Sequence, residues 1–161
     1  MTPAIDLLKN LKMKFNIHQY KHDPNQTHYG QEAVDKLDPS LNITAAQVFK
    51  TLVVCLNGNS KTLAICVLPV DGYLDLKSVA KALNCKKADL AEPNLAQKVT
   101  GYLIGGISPL GQKQTLPTLI DLSAIQYNTM FVSGGKRGLE IEISPHDLTS
   151  ILQAKLIEIT T

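Results

Sequence analysis

The chain has 161 residues, 44% of them hydrophobic and 19% charged, with a formal net charge of +2. That length supports one domain with a sizeable core and leaves no room for two ordinary ones, so residues 1–161 read as a single domain. No apolar run approaches the ~20 residues that cross a bilayer, and a charge this small does not by itself argue for nucleic acid.

Thr2-Pro3 opens a helix, because threonine caps and proline suits the first turn. Ala4, Leu7, Leu8 and Leu11 then form its apolar face. Asp6 interrupts those apolar residues and there is no signal-peptide pattern. A cytoplasmic location is expected, with neither a membrane nor DNA as partner. Residues 15–20 alternate as a strand, with Phe15, Ile17 and Gln19 opposite Asn16, His18 and Tyr20. His22-Asp23-Pro24-Asn25 is a loop, and residues 30–37 form a short helix stopped by Asp38-Pro39. Thr44 is placed to cap a brief turn.

Residues 48–56 and 62–68 flank the turn Asn57-Gly58-Asn59-Ser60 and read as a hairpin. Asp75 caps a helix with Leu76, Val79, Ala80 and Leu83 on one face. Glu92-Pro93 starts another helix, which Gly101 ends. Residues 118–122 are short and extended, and strands at 127–132 and 139–143 flank a glycine turn. Ser144-Pro145 starts a last helix carrying Leu148, Ile151 and Leu152, and residues 155–159 close the chain as a strand. The strand pairs read as hairpins, which predicts a mixed α/β (α+β) domain and not a doubly wound parallel sheet.

Cys55, Cys66 and Cys85 are odd in number and lack CxxC spacing, so neither zinc nor a disulfide framework is expected. Cys55 and Cys66 sit in apolar runs and read as core residues. His18 and His22 are four apart, but the strand pattern and Pro24 argue against a helical metal pair. His28 and His146 are isolated and read as solvent or capping residues. No metal and no nucleotide cofactor is expected.

Two clusters concentrate glycine. Residues 100–113 and 133–138 hold seven of the ten glycines, at 101, 105, 106, 111, 134, 135 and 138. Such concentration points to left-handed backbone or close approach to a ligand, and each cluster adds a Lys and a Ser. Two glycine-rich turns lining a site with backbone amides is the expectation. Lys50 is the odd polar residue in an apolar strand. It is either an edge gatekeeper or a cation aimed at an ester or phosphate oxygen. Lys77, Lys81, Lys86 and Lys87 lie in an acid-free stretch, and Lys77 and Lys81 share a helix face. With Lys113, Lys136 and Arg137 they form either a solvated surface or a phosphate-facing set.

The 100–113 stretch, the SGGKRG turn, Phe49-Lys50-Thr51-Leu52 and the opening Met1-Thr2-Pro3-Ala4 together resemble YbaK-type Cys-tRNA(Pro) deacylases. Those proteins are related to the editing domain of bacterial prolyl-tRNA synthetases. The resemblance implies a mixed, partly barrel-like sheet surrounded by helices. It implies hydrolysis of mischarged Cys-tRNA(Pro), with the substrate's own thiol attacking its ester and a prolyl-tRNA synthetase as partner. It assigns Lys50 and Gly105 to catalysis. It assigns Tyr20, Tyr29, Thr51, Gly106, Ser108, Pro109, Ser133 and Gly134 to the substrate. Glu140 matches a position that is Asp in some members, but an outward-facing strand carboxylate is expected there anyway. The alternatives are a deacylase for another small residue, such as Ala-tRNA(Pro), and a non-catalytic module that binds tRNA or a synthetase.

Overall fold

A computed structural model describes residues 1–161. Five helices and eight strands follow one another in chain order. The first is α1 (Pro3–Asn10), where the Thr2 hydroxyl accepts from the Ile5 amide. Its buried residues are Ala4, Ile5 and Leu8, while Leu11 is exposed, so the apolar face is turned toward Ile5 from the one expected. Next come β1 (Asn16–Gln19), α2 (Tyr29–Lys36), β2 (Phe49–Leu56) and β3 (Asn59–Pro69). Asp75 caps α3 (Leu76–Ala82) through the Lys77 and Ser78 amides. The short β4 (Ala88–Leu90) follows, then α4 (Pro93–Thr100), which ends at left-handed Gly101. The chain finishes with β5 (Thr118–Asp121), β6 (Met130–Ser133), β7 (Leu139–Ile143), α5 (Pro145–Leu152) and β8 (Lys155–Ile157).

The strands make two sheets, an antiparallel one in the order β1-β7-β6 and a mixed one in the order β4-β2-β3-β5-β8. Neither closes into a barrel. They meet at one parallel bridge, Val48 to Phe131, where the Phe131 amide donates to the Gln47 carbonyl at 3.1 Å. Hairpins are not the only pairing, because β3 runs parallel to β5 and β5 parallel to β8. Each parallel pair needs a crossover, and the helices α3, α4 and α5 lie in those crossovers.

Burial on both faces of the large sheet explains the unbroken apolar run of β3. Leu63, Ile65 and Val67 join the main core with α1, α4 and α5. Ala64, Cys66 and Leu68 join a second core under α3. The small sheet is covered on both faces as well. Leu139, Ile141 and Ile143 enter the main core, while Phe131 on the opposite face packs with Ala33 and Leu37 of the α2 region.

Candidate active site

β2 has an opening along one side. Away from β3 it pairs with β4 only at Val54, Cys55 and Leu56, and Val48 just before it is bridged to Phe131. The stretch between, with Lys50 and Thr51, has no strand beside it there. A cleft of about 580 Å³ opens at this gap. One wall is apolar, built from Leu52, Val53, Val70, Leu90, Ile104 and Ile107. The polar wall brings together Tyr20, Tyr29, Lys50, Thr51, Gly105 and Ser133, with Lys136, Arg137 and Glu140. These come from the residue after β1, from α2, β2 and the 101–113 turn, and from β6, β7 and the connection between them.

Lys50 is half-buried, and its ammonium donates to the Gly72 carbonyl at 2.9 Å. Burial lowers its pKa, and the Asp71 carboxylate opposes that shift. An ammonium carries three donors, so two remain for a ligand. Beside it, the Thr51 hydroxyl is buried without a hydrogen-bond partner.

The two glycine turns pack on one another. A Cβ on Gly106 would stand 2.6 Å from the Lys136 Cα, so only glycine admits this approach. Gly105 adopts φ +89°, a left-handed conformation that favours glycine. The Gly106 amide closes on the Leu103 carbonyl at 2.9 Å, whereas the Gly105 amide has no partner within the protein. A free amide on a residue that lines the same cleft as a lysine is suited to charge developing on an ester oxygen.

Glu140 does not face outward. It is 7% exposed and lines the cleft. The LEIEI alternation of β7 puts Glu140 and Glu142 on the face opposite the main core, but α2 and the cleft cover that face. Burial pushes the Glu140 carboxyl up to about 8. Nearby Tyr20 is raised to about 12, chiefly by burial and then by Glu140. His18, expected on the polar face of β1, packs at a tilt against Phe131, with ring centres 5.5 Å apart, and meets Glu142 at 2.9 Å.

Arg137 is turned inward. Its guanidinium donates to the Asp23 and Gln26 carbonyls at 2.7 and 2.9 Å and lies 4.5 Å from the Tyr29 ring centre. It also stands 3.7 Å from Glu32, a carboxylate only 1% exposed. Burial opposes ionisation of Glu32, but the Asp23 amide at 2.7 Å and Lys36 at 2.9 Å outweigh it and hold the carboxyl below its usual range. Arg137 and Glu32 thereby fasten the 23–26 loop to the start of α2. Nothing in the sequence marked Glu32.

The other assigned residues lie elsewhere. Ser108 is fully buried, and its hydroxyl accepts from the Leu110 amide at 3.2 Å. Gly106, Pro109 and Gly134 are buried and do not line the cleft. The Gly134 carbonyl instead accepts from the Thr2 hydroxyl. His28, read as an isolated residue, lines the cleft. Lys77, Lys81, Lys86 and Lys87 are exposed around a depression of about 500 Å³. Ala88 lines that depression and Leu90 lines the cleft, so one short strand connects the two. Lys113 is exposed apart from both.

Residues 28–151 match the family model of the aminoacyl-tRNA editing domain. The chain belongs to the aminoacyl-tRNA editing family. Its activity class is editing of aminoacyl-tRNA, and an aminoacyl-tRNA is its substrate. The matched span of the editing domain includes Tyr29, Lys50, Thr51, Gly105, Ser133 and Glu140, while Tyr20 lies before it. EbsC of Enterococcus faecalis, named as a candidate Cys-tRNA(Pro)/Cys-tRNA(Cys) deacylase, is 35% identical over 160 residues, covering 99% of this chain and 93% of EbsC. YwhH of Bacillus subtilis, uncharacterised, is 23% identical over 149 residues, covering 92% and 93%. A solved hypothetical protein superimposes with a TM-score of 0.84 at 20% identity over 99% of both chains. A candidate trans-editing enzyme for prolyl tRNA synthetase does so with 0.80 at 19% identity, covering 100% of this chain and 98% of that one. At those identities the superpositions establish the editing-domain fold. No helix of the editing domain is long and apolar enough to cross a membrane.

Proposed function

We propose that this editing domain hydrolyses Cys-tRNA(Pro), with the cysteinyl thiol of the substrate attacking its own ester. The observation that carries the reading is the composition of the cleft. It offers Lys50 and the unpartnered Gly105 amide as oxyanion donors, yet no cysteine lines it. Cys66 is fully buried, with burial pushing its thiol up to about 12, and burial raises Cys55 too. Cys85 lies in the separate lysine depression. The name of EbsC, a Cys-tRNA deacylase candidate over nearly the whole length, supports a cysteinyl substrate.

The substrate sulfur forms a bond to the ester carbonyl carbon. The carbon–oxygen bond to the ribose breaks, and the thiol proton ends on the ribose hydroxyl. Water then opens the cyclic thioester. A thiol of pKa near ~8.5 is a few per cent thiolate at neutral pH and a strong nucleophile. The protein's share is orientation, worth roughly 7–11 kcal/mol, and oxyanion stabilisation, about 3–4 kcal/mol per donor. The apolar wall of Leu52, Val53, Ile104 and Ile107 suits a small uncharged side chain.

A second reading has one observation in its favour. Glu140, buried and titrating near 8, suits a general base for water attack on a smaller ester such as Ala-tRNA(Pro). Deacylation of Cys-, Ala- and Ser-tRNA by the purified protein separates these readings. Cleavage of the cysteinyl ester alone supports the first, preferential cleavage of the alanyl ester the second. Binding without turnover of any of them contradicts both.

In either reading the lysines around α3 meet tRNA phosphates. A prolyl-tRNA synthetase supplies the selectivity for tRNA(Pro), since an exposed lysine set attracts any phosphate backbone.

A further inference from the structure

We propose that Glu140 receives the α-ammonium group of the bound aminoacyl ester, making the cleft selective for esters whose amino group is free. The inference rests on the reading that the cleft holds an aminoacyl ester.

Three acidic residues in this fold are buried, and two of them are matched within the protein. Glu32 has the Asp23 amide, Lys36 and Arg137. Asp121 accepts from the Ser123 amide and hydroxyl and from the Ile159 amide at 2.9 Å. Glu140 is the third, at 7% exposure, and no protein group hydrogen-bonds to it. It is also the only carboxyl that lines the cleft. Burying an unpaired carboxyl is costly, and a site that keeps one commonly has its partner in the ligand.

The neighbours leave that place open. Ser133 on β6 and His18 on β1 are the register partners of Glu140. Ser133 carries a neutral hydroxyl, and His18 is turned to Glu142 at 2.9 Å. Tyr20 approaches from the end of β1. The cations of the cleft are placed otherwise. Lys50 is on the Gly72 carbonyl, Arg137 is on the Asp23 and Gln26 carbonyls, and Lys136 is exposed at the rim. His28 is likewise exposed. What the site lacks is a compact cation with several donors. An aminoacyl ester carries one on the carbon next to its carbonyl, whereas a peptidyl or N-acetylated ester does not.

The protonation balance follows. Free Glu140 holds its proton up to about 8, and an α-amino group holds its own to about 7.7–8.0. The bound pair keeps one proton between them, so binding releases close to one proton at about pH 6, where both free groups are protonated, and less as pH approaches 8. Affinity therefore rises with pH toward 8 and falls above it.

Two measurements test this. The first compares kcat/KM for Cys-tRNA and N-acetyl-Cys-tRNA with wild type, Glu140→Gln and Glu140→Asp. The expected preference of wild type for the free amine is at least tenfold, collapsing toward unity in Glu140→Gln and partly kept in Glu140→Asp. The second is calorimetric binding of an amide-linked, non-hydrolysable cysteinyl-tRNA analogue in two buffers of different ionisation enthalpy. At about pH 6 wild type releases close to one proton and Glu140→Gln releases almost none. Equal rates of wild type on both esters, a preference or proton release unchanged by Glu140→Gln, or loss of both substrates in equal proportion would overturn the assignment. A wild type that binds the analogue with proton release but cleaves no cysteinyl ester contradicts the deacylase reading and leaves the ammonium subsite standing.

Discussion

Gly106 and Lys136 touch backbone to backbone, with the position of a Gly106 Cβ only 2.6 Å from the Lys136 Cα. This contact joins the two glycine turns, and it fixes Gly105 and Ser133 in one cleft. Gly106→Ala forces the turns apart, because the obstacle is main chain and not a side chain that can swing away. The expected outcome is a loss of about 1–3 kcal/mol in chemical denaturation, as for an overpacked core, with turnover reduced at least tenfold. Unchanged stability and turnover would show that the contact does not hold the site.

Lys50→Met keeps an unbranched apolar stem as far as Cε and removes the charged terminal nitrogen. If the ammonium stabilises the developing oxyanion, kcat falls by at least about tenfold, or ~1.4 kcal/mol. KM changes less. An unchanged kcat in the folded variant would return Lys50 to the role of an edge gatekeeper.

Salt dependence separates the two kinds of cation. Lys77 and Lys81 are exposed on α3, whereas Arg137 is spent on carbonyls and Glu32. Replacing both lysines with alanine should reduce the logarithmic salt slope of tRNA binding by about 0.7–0.9 for each phosphate no longer neutralised. Arg137→Gln should leave that slope unchanged and lower the melting temperature, because the 23–26 loop loses its donors. A slope that responds to Arg137→Gln and not to the lysines would reverse this division.

Glu140 also makes stability depend on pH. Its carboxyl ionises near 4.5 when free and near 8 in the fold. Between those values the folded state binds more protons, so stability is full below the lower value and falls as pH rises through the window. The slope is at most about 1.4 kcal/mol per pH unit. Glu140→Gln should flatten it, as read by denaturant midpoints from pH 5 to 8. The same slope in both proteins would mean that Glu140 is ionised in the fold.

Local signals made most of the fold legible. The Thr2, Asp75 and Ser144 caps, the prolines that follow Thr2 and Ser144, and Gly101 bound their helices as expected. Long-range partners were not legible. The period-2 pattern of β7 separates Leu139 and Ile141 from Glu140, but it cannot say that α2 covers the second face. The same limit hid the inward turn of His18 and the parallel pairing of β5, whose partners come from distant segments. β4 escaped because three residues with exposed Asp89 and Leu90 carry no alternation. In the site, Lys50 stood out because a strand interior rarely keeps a lysine, and the glycine turns because their composition is unusual. Glu32 gave no signal, since a glutamate in an amphipathic helix normally faces water.

The most direct test is a pair of single-turnover rates. Cys-tRNA and Ser-tRNA differ in one atom of the side chain, and only the thiol is appreciably ionised near neutral pH. If the substrate is its own nucleophile, the purified protein should deacylate Cys-tRNA at least about a hundredfold faster than Ser-tRNA. Lys50→Met should slow the cysteinyl reaction in the same assay. Equal rates on the two esters would contradict the account and place the nucleophile in the protein or in water.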